Sequence, residues 1–373
     1  MTRRVYYGET VYEVGLGEGS CYGDLIDKVR KDFGLDVDFE RFVIWDNGAV
    51  CDPGQNLGAS SEISILDRGK YENLILKTDL FIGYSMKERK LTDGMNEILT
   101  TMNSAREMMI SMNSEKLISE ILGVIPVEEL QSDIPDENLA VITRWFKEKF
   151  FTFIRQSPCH YCQNKTETCG ATPPTSYELQ GKCTYTEIHA CRSCGACTRF
   201  PRYEDVSRLL QTRCGRCSEF ANAFVAILRA IGFDARIVFD WTDHVWAEVW
   251  LDSKQRYVHV DPCENIIDAP FTYESGWGKK LTWVMAFGLN EVYDVTPRYT
   301  QHLEEVLRRR SQNVEEYWVA RVIFIRNKQW QNSLSLNEKD EIKRKNLIDQ
   351  KSMIIYREEI KPEERIPRKS GFE

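Results

Sequence analysis

Residues 213–232 read RCGRCSEFANAFVAILRAIG, and this stretch decides the fold because it leads a pair of cysteines into a long helix. The helix is indicated by apolar residues at helical spacing, which are Phe220, Phe224, Ile227, Leu228 and Ile231. Gly232 is its expected stop. This pattern puts Cys217 at the helix N-terminus, where unpaired amides and the helix dipole favour a thiolate, whereas Cys214 lies a turn earlier.

Two predicted strands follow this helix and carry side chains that can activate a thiol. The segments HVWAEVWL and YVHVDP both alternate polar with apolar residues. We expect an antiparallel hairpin through the sequence DSKQ, in a register that pairs His244 with Asp261 and Trp246 with His259. One face of the hairpin would then carry an imidazole beside a carboxylate, and the other face would point to the core.

Cys217, His244 and Asp261 occur in the order nucleophile, base and orienting carboxylate. In this interpretation the thiolate attacks a carbonyl carbon, His244 transfers the proton and Asp261 fixes the imidazole tautomer. His259 is an alternative base, although Asp261 would then lie two residues away on the same strand. The other interpretations are a merely packed cysteine, or a third metal knuckle with Cys214. A helix that carries the cysteine, followed by strands that carry the histidine and the aspartate, predicts an α+β papain-like core in the circular order of the transglutaminases.

A second group of cysteines indicates a metal site. Residues 158–200 hold seven of the chain's 12 cysteines and have few large apolar residues, so a metal would supply the missing stability. Two C-x-x-C pairs, Cys159 with Cys162 and Cys191 with Cys194, are typical of tetrahedral zinc. Four thiolates close the coordination shell, which favours a structural ion. Spacing alone leaves other ligands open, namely His160, Cys169, Cys183, His189 and Cys197.

The N-terminal residues predict a hairpin, a helix, a second hairpin with an Asn47-Gly48 turn, and a strand. The helix stripe is formed by Leu25, Ile26, Val29 and Phe33, before a stop at Gly34. This order resembles the ubiquitin-like β-grasp without its Gly-Gly tail, which implies a docking module. A small α+β domain of other ancestry is the alternative.

The remaining segments divide the chain into five predicted parts. These are a β-grasp domain over 1–70, a mainly helical segment over 71–157, a zinc-binding subdomain over 158–200, a transglutaminase-like catalytic core over 201–300 and a C-terminal helical and strand extension over 301–373. In the second part, a helix is expected to bury Ile142, Phe146, Phe150 and Phe153.

The composition limits the function classes. The chain has 373 residues, 42% hydrophobic and 28% charged, which is ordinary for a globular protein of two or more domains. A net charge of -8 gives no electrostatic reason to expect nucleic acid. Neither a signal peptide nor a membrane span is predicted, so we expect a soluble cytoplasmic protein, with the nucleus as a further location.

Several motifs together resemble the cytoplasmic peptide:N-glycanases, in the order of that family. They are RCGRCSEFANAF, DHVWAEVW, VHVDPCENIIDAP, YESGWGKKLTWVMAF and VYDVTPRY, preceded by the knuckles and RFPRY. The resemblance covers about residues 137–300. It implies that Cys217, His244 and Asp261 hydrolyse the amide bond between asparagine and an N-glycan of misfolded glycoproteins, in ER-associated degradation.

The same resemblance assigns further roles. Trp145 matches the tryptophan whose indole N–H serves the oxyanion, while Glu264 and Trp277 match positions that hold the innermost sugars. Alternatively, Trp145 is a core aromatic residue of an amphipathic helix, and Trp277 packs within its loop. The resemblance also assigns zinc to Cys159, Cys162, Cys191 and Cys194 and leaves Cys197 as an extra thiol. It implies partners among ubiquitin-receptor shuttle proteins, the proteasome or its unfolding ATPase.

Two residues beside the nucleophile depart from the family pattern CGRCGEW, because this chain has Ser218 and Phe220 there. The triad itself is whole, unlike that of the transglutaminase-like relatives in DNA-repair proteins. Two other functions therefore stay open. One is a cysteine protease or protein transglutaminase acting through the same triad, and the other is a catalytically weak scaffold that binds glycoproteins.

Overall fold

The computed structural model describes residues 2–7, 10–17, 19–46, 49–58, 62–70, 91–354 and 360–368. The expected Asn47-Gly48 turn and residues 71–90 of the predicted helical segment lie outside these ranges. No helix within the described ranges combines the length and the apolarity that a bilayer crossing requires.

The N-terminal residues form a five-stranded sheet with one helix packed on it. Its elements are β1 Thr2–Tyr7, β2 Thr10–Gly15, α1 Tyr22–Phe33, β3 Phe42–Asp46, β4 Ala49–Cys51 and β5 Glu62–Asp67. The strand order is β2-β1-β5-β3-β4, with β1 and β5 parallel and the other pairs antiparallel. Leu25, Ile26 and Val29 are buried as expected, whereas Phe33 is 38% exposed and lies against Tyr12. Gly34 ends the helix with a left-handed φ of 68°.

Helices come next and lead into the second half of the chain. They are α2 Asp93–Ser111, α3 Glu115–Leu122, a 3-10 turn Val127–Glu129, α4 Pro135–Trp145 and a π-helical turn Phe146–Phe150. Ile142, Phe146 and Phe150 are buried, as the periodicity predicts. Phe153 was expected on the same helix, but it lies on the short strand β6 Thr152–Phe153 instead. The π-helical turn closes the helix after Phe150 and releases the chain into that strand.

The cysteine-rich region is a small antiparallel sheet. It contains β7 Thr166–Thr172, α5 Ser176–Leu179, β8 Cys183–Cys191 and β9 Cys197–Tyr203, in the strand order β7-β8-β9. Helix α6 Val206–Thr212 and strand β10 Cys214–Gly215 follow, and β10 pairs in parallel with β6. This pairing joins the stretch before the cysteine-rich region to the start of the helix that begins at Cys217.

A six-stranded antiparallel sheet forms the centre of the core. Helix α7 Cys217–Ala230 precedes β11 Ala235–Asp240, β12 His244–Leu251, β13 Arg256–Asp261, β14 Ile266–Ile267, a π-helical turn Thr272–Gly276, β15 Val284–Phe287 and β16 Val292–Asp294. The strand order is β14-β13-β12-β11-β15-β16. Phe224 and Ile227 of α7 pack in one cluster with Ala247 and Val249, so this helix covers one face of the sheet.

C-terminal helices cover the opposite face. They are α8 Thr296–Tyr299, α9 Leu303–Arg310, α10 Glu316–Trp330 and α11 Leu336–Ile354, with a 3-10 turn Pro362–Arg365. Tyr299, Val306 and Met353 share a cluster with Trp246, so every residue of β12 is buried, on both faces. Residues 301–354 and 360–368 of the predicted extension are helical or irregular, and no strand occurs in these described ranges.

The register of the central hairpin differs from the expected one by two residues. Glu248 faces His259, and Leu251 pairs with Arg256, so Trp246 does not pair with His259 and His244 does not pair with Asp261. The turn decides the register: four residues, Asp252 to Gln255, loop out, and Gln255 has a left-handed φ of 49°. A shift of two keeps each side chain on its expected face, because side chains alternate with period two.

Candidate active site

Cys217 begins helix α7 and is half-buried at the edge of the apolar cluster below it. The helix starts here because the Glu219 carboxylate folds back and accepts a hydrogen bond from the Arg216 amide at 2.9 Å. Gly215 makes room for this arrangement, since a Cβ at that position would lie 2.3 Å from Glu219 Cβ. The sequence CGRC therefore forms a helix start with Cys217 as the first helical residue, as the sequence pattern predicts.

His244 and Asp261 meet in the interior beside this helix start. The Nε2 atom of His244 lies 2.7 Å from Oδ2 of Asp261, and both residues are buried. His244 is the first residue of β12, and Asp261 is the last residue of its antiparallel neighbour β13. Because the two residues are not register partners, the contact between their side chains is diagonal rather than directly across the hairpin. The structure thus brings the predicted base and the predicted carboxylate together despite the shifted register.

The hydrogen bond fixes which nitrogen of His244 is available. Asp261 also accepts from the Cys263 amide at 2.8 Å and from the Tyr273 hydroxyl at 2.9 Å. Burial would raise the pKa of Asp261, but His244 outweighs it and the pKa falls to about 2. An ionised carboxylate only accepts, so Nε2 donates. The Nδ1 atom is buried and makes no hydrogen bond among the described residues, which leaves it to receive or give the transferred proton.

The imidazole is electrostatically suited to stand beside a thiolate. Burial alone would lower the pKa of His244, but the charge of Asp261 and its hydrogen bond, with a smaller contribution from Cys217, raise it to about 9. Cys217 is thus close enough to interact with the ring. Around neutral pH His244 is a cation held between a carboxylate and a sulfur.

His259, the alternative base, has a different place. Its Nδ1 accepts from the Ala269 amide at 3.3 Å, so Nε2 donates to the Tyr273 hydroxyl at 2.7 Å, and that hydroxyl donates to Asp261. Burial lowers the pKa of His259 to about 4, so the ring is neutral. Tyr273 and His259 hold Asp261 in position. Sequence reasoning missed Tyr273, whose only signal was its place just ahead of Trp277 in YESGWGKK.

Two of the three residues given secondary roles, Trp277 and Glu264, lie near this centre. The Trp277 ring is 5.0 Å from the His244 ring and 5.1 Å from Tyr273. Glu264 follows Asp261 in the chain, and its pKa is raised by burial and by the charge of Asp261. Trp145 ends helix α4, stacks on Phe150 at 4.6 Å, and belongs to the same apolar cluster that Cys217 packs against.

Phe220, one of the two unusual residues beside the nucleophile, is a core aromatic. It is fully buried and contacts Phe151 at 4.7 Å, Phe146 at 5.7 Å and Phe153 at 5.9 Å. Ser218 is half-buried. Phe220 therefore acts on the site through the packing beneath helix α7.

Four cysteine sulfurs converge in the cysteine-rich sheet. The Sγ atoms of Cys159, Cys162, Cys191 and Cys194 all lie within 4.8 Å of one another, and the shortest distance, from Cys162 to Cys194, is 3.4 Å. The Cys162 amide lowers the pKa of Cys159 to about 6. Although the Ala196 amide would lower the pKa of Cys194, hydrogen bonding to Cys162 and burial raise it to about 12. A cation is thus needed for all four to be thiolates at once, and the donor set suits a tetrahedral ion.

The other candidate ligands have separate partners. His189 accepts from the Ser157 amide through Nδ1 at 2.9 Å and contacts Glu187 through Nε2 at 3.1 Å. His160 bonds to Thr198, and the Cys183 sulfur lies 3.1 Å from the Tyr185 carbonyl oxygen. The remaining two, Cys169 and Cys197, are exposed.

A buried charge network joins the cysteine-rich sheet to the nucleophile helix. Arg202 on β9 donates to both oxygens of Glu219, at 2.6 and 2.9 Å, and to Glu187 on β8 at 3.0 Å. Arg216, the residue before Cys217, donates to Glu187 at 2.5 Å. Glu187 thus accepts hydrogen bonds from both arginines. These contacts connect the start of helix α7 to the sheet beside the four-cysteine cluster. Sequence reasoning missed this role, although Arg202 lies in the quoted motif RFPRY.

The chain matches the profiles of two protein families. The "Transglutaminase-like superfamily" profile matches residues 164–262, and the "Rad4 transglutaminase-like domain" profile matches residues 241–348. A crystal structure of Rad4-Rad23 crosslinked to an undamaged DNA is similar with a TM-score of 0.45 and 16% identity, covering 72% of this chain and 62% of that chain.

The similar curated proteins share one name, peptide-N(4)-(N-acetyl-beta-glucosaminyl)asparagine amidase. The relative from Gallus gallus is 39% identical over 274 residues, which is 68% of this chain and 42% of that protein. The Homo sapiens relative is 39% identical over 271 residues, 68% of this chain and 41% of that protein. The relative from Yarrowia lipolytica is 28% identical over 307 residues, 77% of this chain and 86% of that protein. The chain spans less than half the length of the two vertebrate relatives.

Proposed function

Because the chain is a homologue of the peptide-N(4)-(N-acetyl-beta-glucosaminyl)asparagine amidases, with a transglutaminase-like core, we propose that it removes N-glycans from denatured glycoproteins. The reaction hydrolyses the bond between the asparagine side-chain amide and the sugar, leaving aspartate and a glycosylamine. The observation that carries the proposal is the 2.7 Å hydrogen bond between His244 and Asp261 beside the half-buried Cys217.

The proposed mechanism uses the ion pair at the helix start. The Cys217 thiolate attacks the side-chain amide carbon, and His244 gives its proton to the departing nitrogen, so the C–N bond breaks and a thioester remains. The neutral Nδ1 of His244 then takes a proton from water, whose oxygen attacks the thioester carbon. The C–S bond then breaks, which releases aspartate and returns the Cys217 thiolate beside a protonated His244, and Asp261 keeps the imidazole oriented throughout.

The oxyanion formed in each attack needs donors that are already in place. We assign the Cys217 amide at the helix N-terminus and the Trp145 indole N–H to this role. The placement of Trp145 at the end of α4, in the cluster that Cys217 packs against, supports the assignment.

Glu264 and Trp277 are assigned to the glycan. A carboxylate accepts hydrogen bonds from sugar hydroxyls, and an indole face packs on a pyranose ring. The contact of Trp277 with His244, at 5.0 Å between rings, supports a sugar held beside the bond that is cleaved. The positions of both residues, near the reacting centre and not in it, are consistent with binding rather than chemistry.

For the four-cysteine cluster we propose structural zinc. Cys159, Cys162, Cys191 and Cys194 would hold the ion with four thiolates, which leave no open position for a substrate. When bound, the ion supplies cross-linking of the cysteine-rich sheet rather than Lewis-acid chemistry. The network from Glu187 to Arg216 would carry that order to the helix start.

We also propose that the chain has the five parts 1–70, 71–157, 158–200, 201–300 and 301–373. The sheet order β2-β1-β5-β3-β4 with helix α1 on one face supports a ubiquitin-like β-grasp at the N-terminus. We propose that the protein acts in the cytoplasm, with the nucleus as a further location, on misfolded N-glycoproteins in ER-associated degradation. Its partners would be ubiquitin-receptor shuttle proteins, the proteasome or its unfolding ATPase.

The test compares three forms of the protein on a denatured N-glycoprotein. Wild type should increase the gel mobility of the substrate and convert asparagine to aspartate at the sequon, as read by mass spectrometry. Cys217→Ala should lose at least about 10⁴-fold in rate, and Cys214→Ala, the matched thiol three residues earlier, should keep near-normal activity. Intact sugar with wild type would contradict the proposal, and peptide-bond cleavage without glycan release would favour the protease alternative.

A further inference from the structure

The C-terminal residues 360–368 cross the π-helical turn Thr272–Gly276 that leads into Trp277, and we call this segment the strap. The fully buried Glu364 accepts a hydrogen bond from the Phe271 amide at 3.0 Å, which ties the strap to the start of the turn. Lys361 donates to the Asp268 carbonyl oxygen at 2.6 Å. The strap is therefore attached just ahead of the turn through a buried carboxylate and a lysine.

The turn and the strap are also fitted to each other at close range. A Cβ on Gly276 would lie 2.5 Å from the carbonyl oxygen of Ile366 and 2.8 Å from that of Glu364. No real Cβ approaches backbone oxygens so closely, so this position requires glycine for the strap to lie where it does. The glycine is the residue just before Trp277, which places the strap next to the proposed sugar-binding indole.

Arg368 brings the strap into the site. Its guanidinium carbon lies 4.6 Å from the centroid of the Trp277 ring, a cation–π contact, and the same indole is 5.0 Å from His244. Glu264 is also within reach of its charge: burial raises the pKa of Glu264, and Arg368 is one of the cations that oppose this rise. Arg368 therefore lies near both residues assigned to the glycan, Trp277 and Glu264.

One donor of Arg368 is unused. The Nε atom is buried and makes no hydrogen bond in the part of the chain that the structure describes. Buried donors normally have partners, because an unsatisfied one loses its hydration without compensation. Because Nε is enclosed, an oxygen acceptor supplied by a ligand would reach the terminal nitrogens of the guanidinium, which lies over the Trp277 indole.

We propose that Arg368 is a third glycan-binding residue, which donates from its guanidinium to a hydroxyl or N-acetyl oxygen of the innermost sugar while it holds the Trp277 indole. This inference rests on the proposed function. A sugar carries both the apolar ring surface that packs on an indole and the oxygens that an arginine donor needs. The strap thus belongs to the substrate site, and its anchor at Glu364 determines where Arg368 stands.

The experiment measures binding of free chitobiose by calorimetry to the full chain carrying Cys217→Ala, so that turnover does not enter. Adding Arg368→Met keeps an apolar stem on Trp277 but removes every donor, and should weaken binding about 10-fold or more, the range of a charge-assisted hydrogen bond. The matched control is Arg365→Met, an exposed arginine of the same strap, which should leave the affinity unchanged. On glycopeptide, Arg368→Met alone should raise KM and leave kcat close to wild type.

Each other outcome overturns the inference. Equal affinity of the Arg368→Met and parent proteins would remove Arg368 from the sugar site while leaving the proposed function intact. Tighter binding by Arg368→Met would mean that Arg368 covers Trp277 and is displaced by the sugar. Absence of chitobiose binding by the parent protein would contradict the glycan site itself, and absence of glycoprotein deglycosylation by wild type would contradict the proposed function.

Discussion

Asp261 is the residue on which the orientation of the site depends. It receives three hydrogen bonds, from His244, Tyr273 and the Cys263 amide, and all three donors are buried with it. The arrangement uses both carboxylate oxygens and leaves the imidazole one allowed tautomer. The carboxylate thus sets the direction in which His244 offers Nδ1 and also sets its charge.

Replacing this carboxylate should move the titration of His244 to lower pH. In wild type the pKa of His244 is raised to about 9, because the attraction of Asp261 outweighs burial; the ring is protonated below that pH and loses its proton above it. In Asp261→Asn only burial remains as a strong influence, and the pKa should fall below the ordinary 6.5. With five histidines in the chain, NMR titration can follow the ring directly.

The same variant should lower kcat about 10⁴-fold, as loss of an orienting carboxylate does in other triads. The catalytically useful ion pair of wild type should be lost as pH rises through about 9, the direction expected for a raised histidine pKa. A His244 titration near 9 that persists in Asp261→Asn would show that another group charges the ring.

At this scale the sequence predicted that His244 and Asp261 lie on one face, but not which residues support them. Alternation along β12 and β13 was sufficient to place His244 and Asp261 on one face, because a strand keeps its side-chain parity. Alternation could not reveal Tyr273, which comes from a π-helical turn with no periodic signature. It favoured His244 over His259 from the position of Asp261, but it could not reveal the Ala269 amide that occupies His259 Nδ1.

Among the elements, the cysteine-rich sheet and helix α7 act as one unit through Arg202. Its side chain is only 13% exposed and holds Glu187 and Glu219, which are themselves buried. Arg202→Met should therefore leave the buried Glu219 without its cation and Glu187 with Arg216 alone, and lower the free energy of unfolding by about 3–5 kcal/mol. Chemical denaturation measures this loss.

The matched control for Arg202 is Arg192→Met in the same sheet. Arg192 pairs with Glu167, but its side chain is 82% exposed, so water screens the pair and its loss should cost less than about 1 kcal/mol. Equal destabilisation by the two variants would contradict the coupling between the sheet and the helix. A larger fall of kcat for Arg202→Met at temperatures where it remains folded would support it.

Metal removal should destabilise the same unit. Cys162→Ser takes one thiolate from the cluster, so bound zinc per chain should fall and the melting temperature with it, because metal binding and folding of such sheets are linked. Cys197→Ser removes a nearby exposed thiol outside the cluster and should change neither quantity. Zinc content by mass spectrometry and thermal melting read both. Full zinc in Cys162→Ser would contradict the proposed ligand set.

The central hairpin shows where an element could not be predicted. The apolar faces fix only the parity of the pairing, so registers that differ by two residues satisfy the pattern equally well. The turn from Asp252 to Gln255 selects one of them, with Gln255 in a left-handed conformation. The sequence DSKQ carries no strong hairpin signal such as Asn-Gly, so the register expected from the sequence differs by two residues from the observed one.

Across the whole molecule, the polar face of the hairpin is covered by residues from far along the chain. Glu248 and Arg236 are fully buried and bonded to each other at 2.7 Å, and Asp349 of helix α11 accepts from Arg236 at 2.9 Å. Tyr299 donates to Glu248 and accepts from the Trp246 indole. This charge cluster lies behind the active site, because Trp246 stacks on the Tyr273 that holds Asp261.

The sequence could not show this because the polar residues of a strand usually face water. Glu248 alternates with apolar neighbours as a solvent-facing residue would, and α11 has charged residues on most of its surface. Only the fold reveals that Arg298 and Asp349 come to Glu248 and Arg236 from the C-terminal helices. Composition therefore indicated a charged extension but not that it closes the core.

Removing Asp349 tests whether the extension is part of the catalytic unit. The carboxylate is 1% exposed and accepts from Arg236 at 2.9 Å, from Arg298 at 2.6 Å and from the Tyr257 amide at 2.9 Å. Asp349→Ala should lower the free energy of unfolding by about 3–5 kcal/mol, because two buried guanidinium groups each lose one of the two carboxylates that they share. The measurement is urea denaturation followed by tryptophan fluorescence.

The control on the same helix is Glu341→Ala, which removes an exposed pair with Arg344 and should cost less than about 1 kcal/mol. If α11 closes the core, all fluorescence and circular-dichroism transitions of Asp349→Ala should shift together to lower urea, because the extension and the sheet unfold as one unit. A variant that loses helix signal alone, while glycan release and the tryptophan transition keep their wild-type values, would show that the extension is only attached to the core. Coupling is expected, because Asp349 binds the strands themselves through Arg236 and the Tyr257 amide.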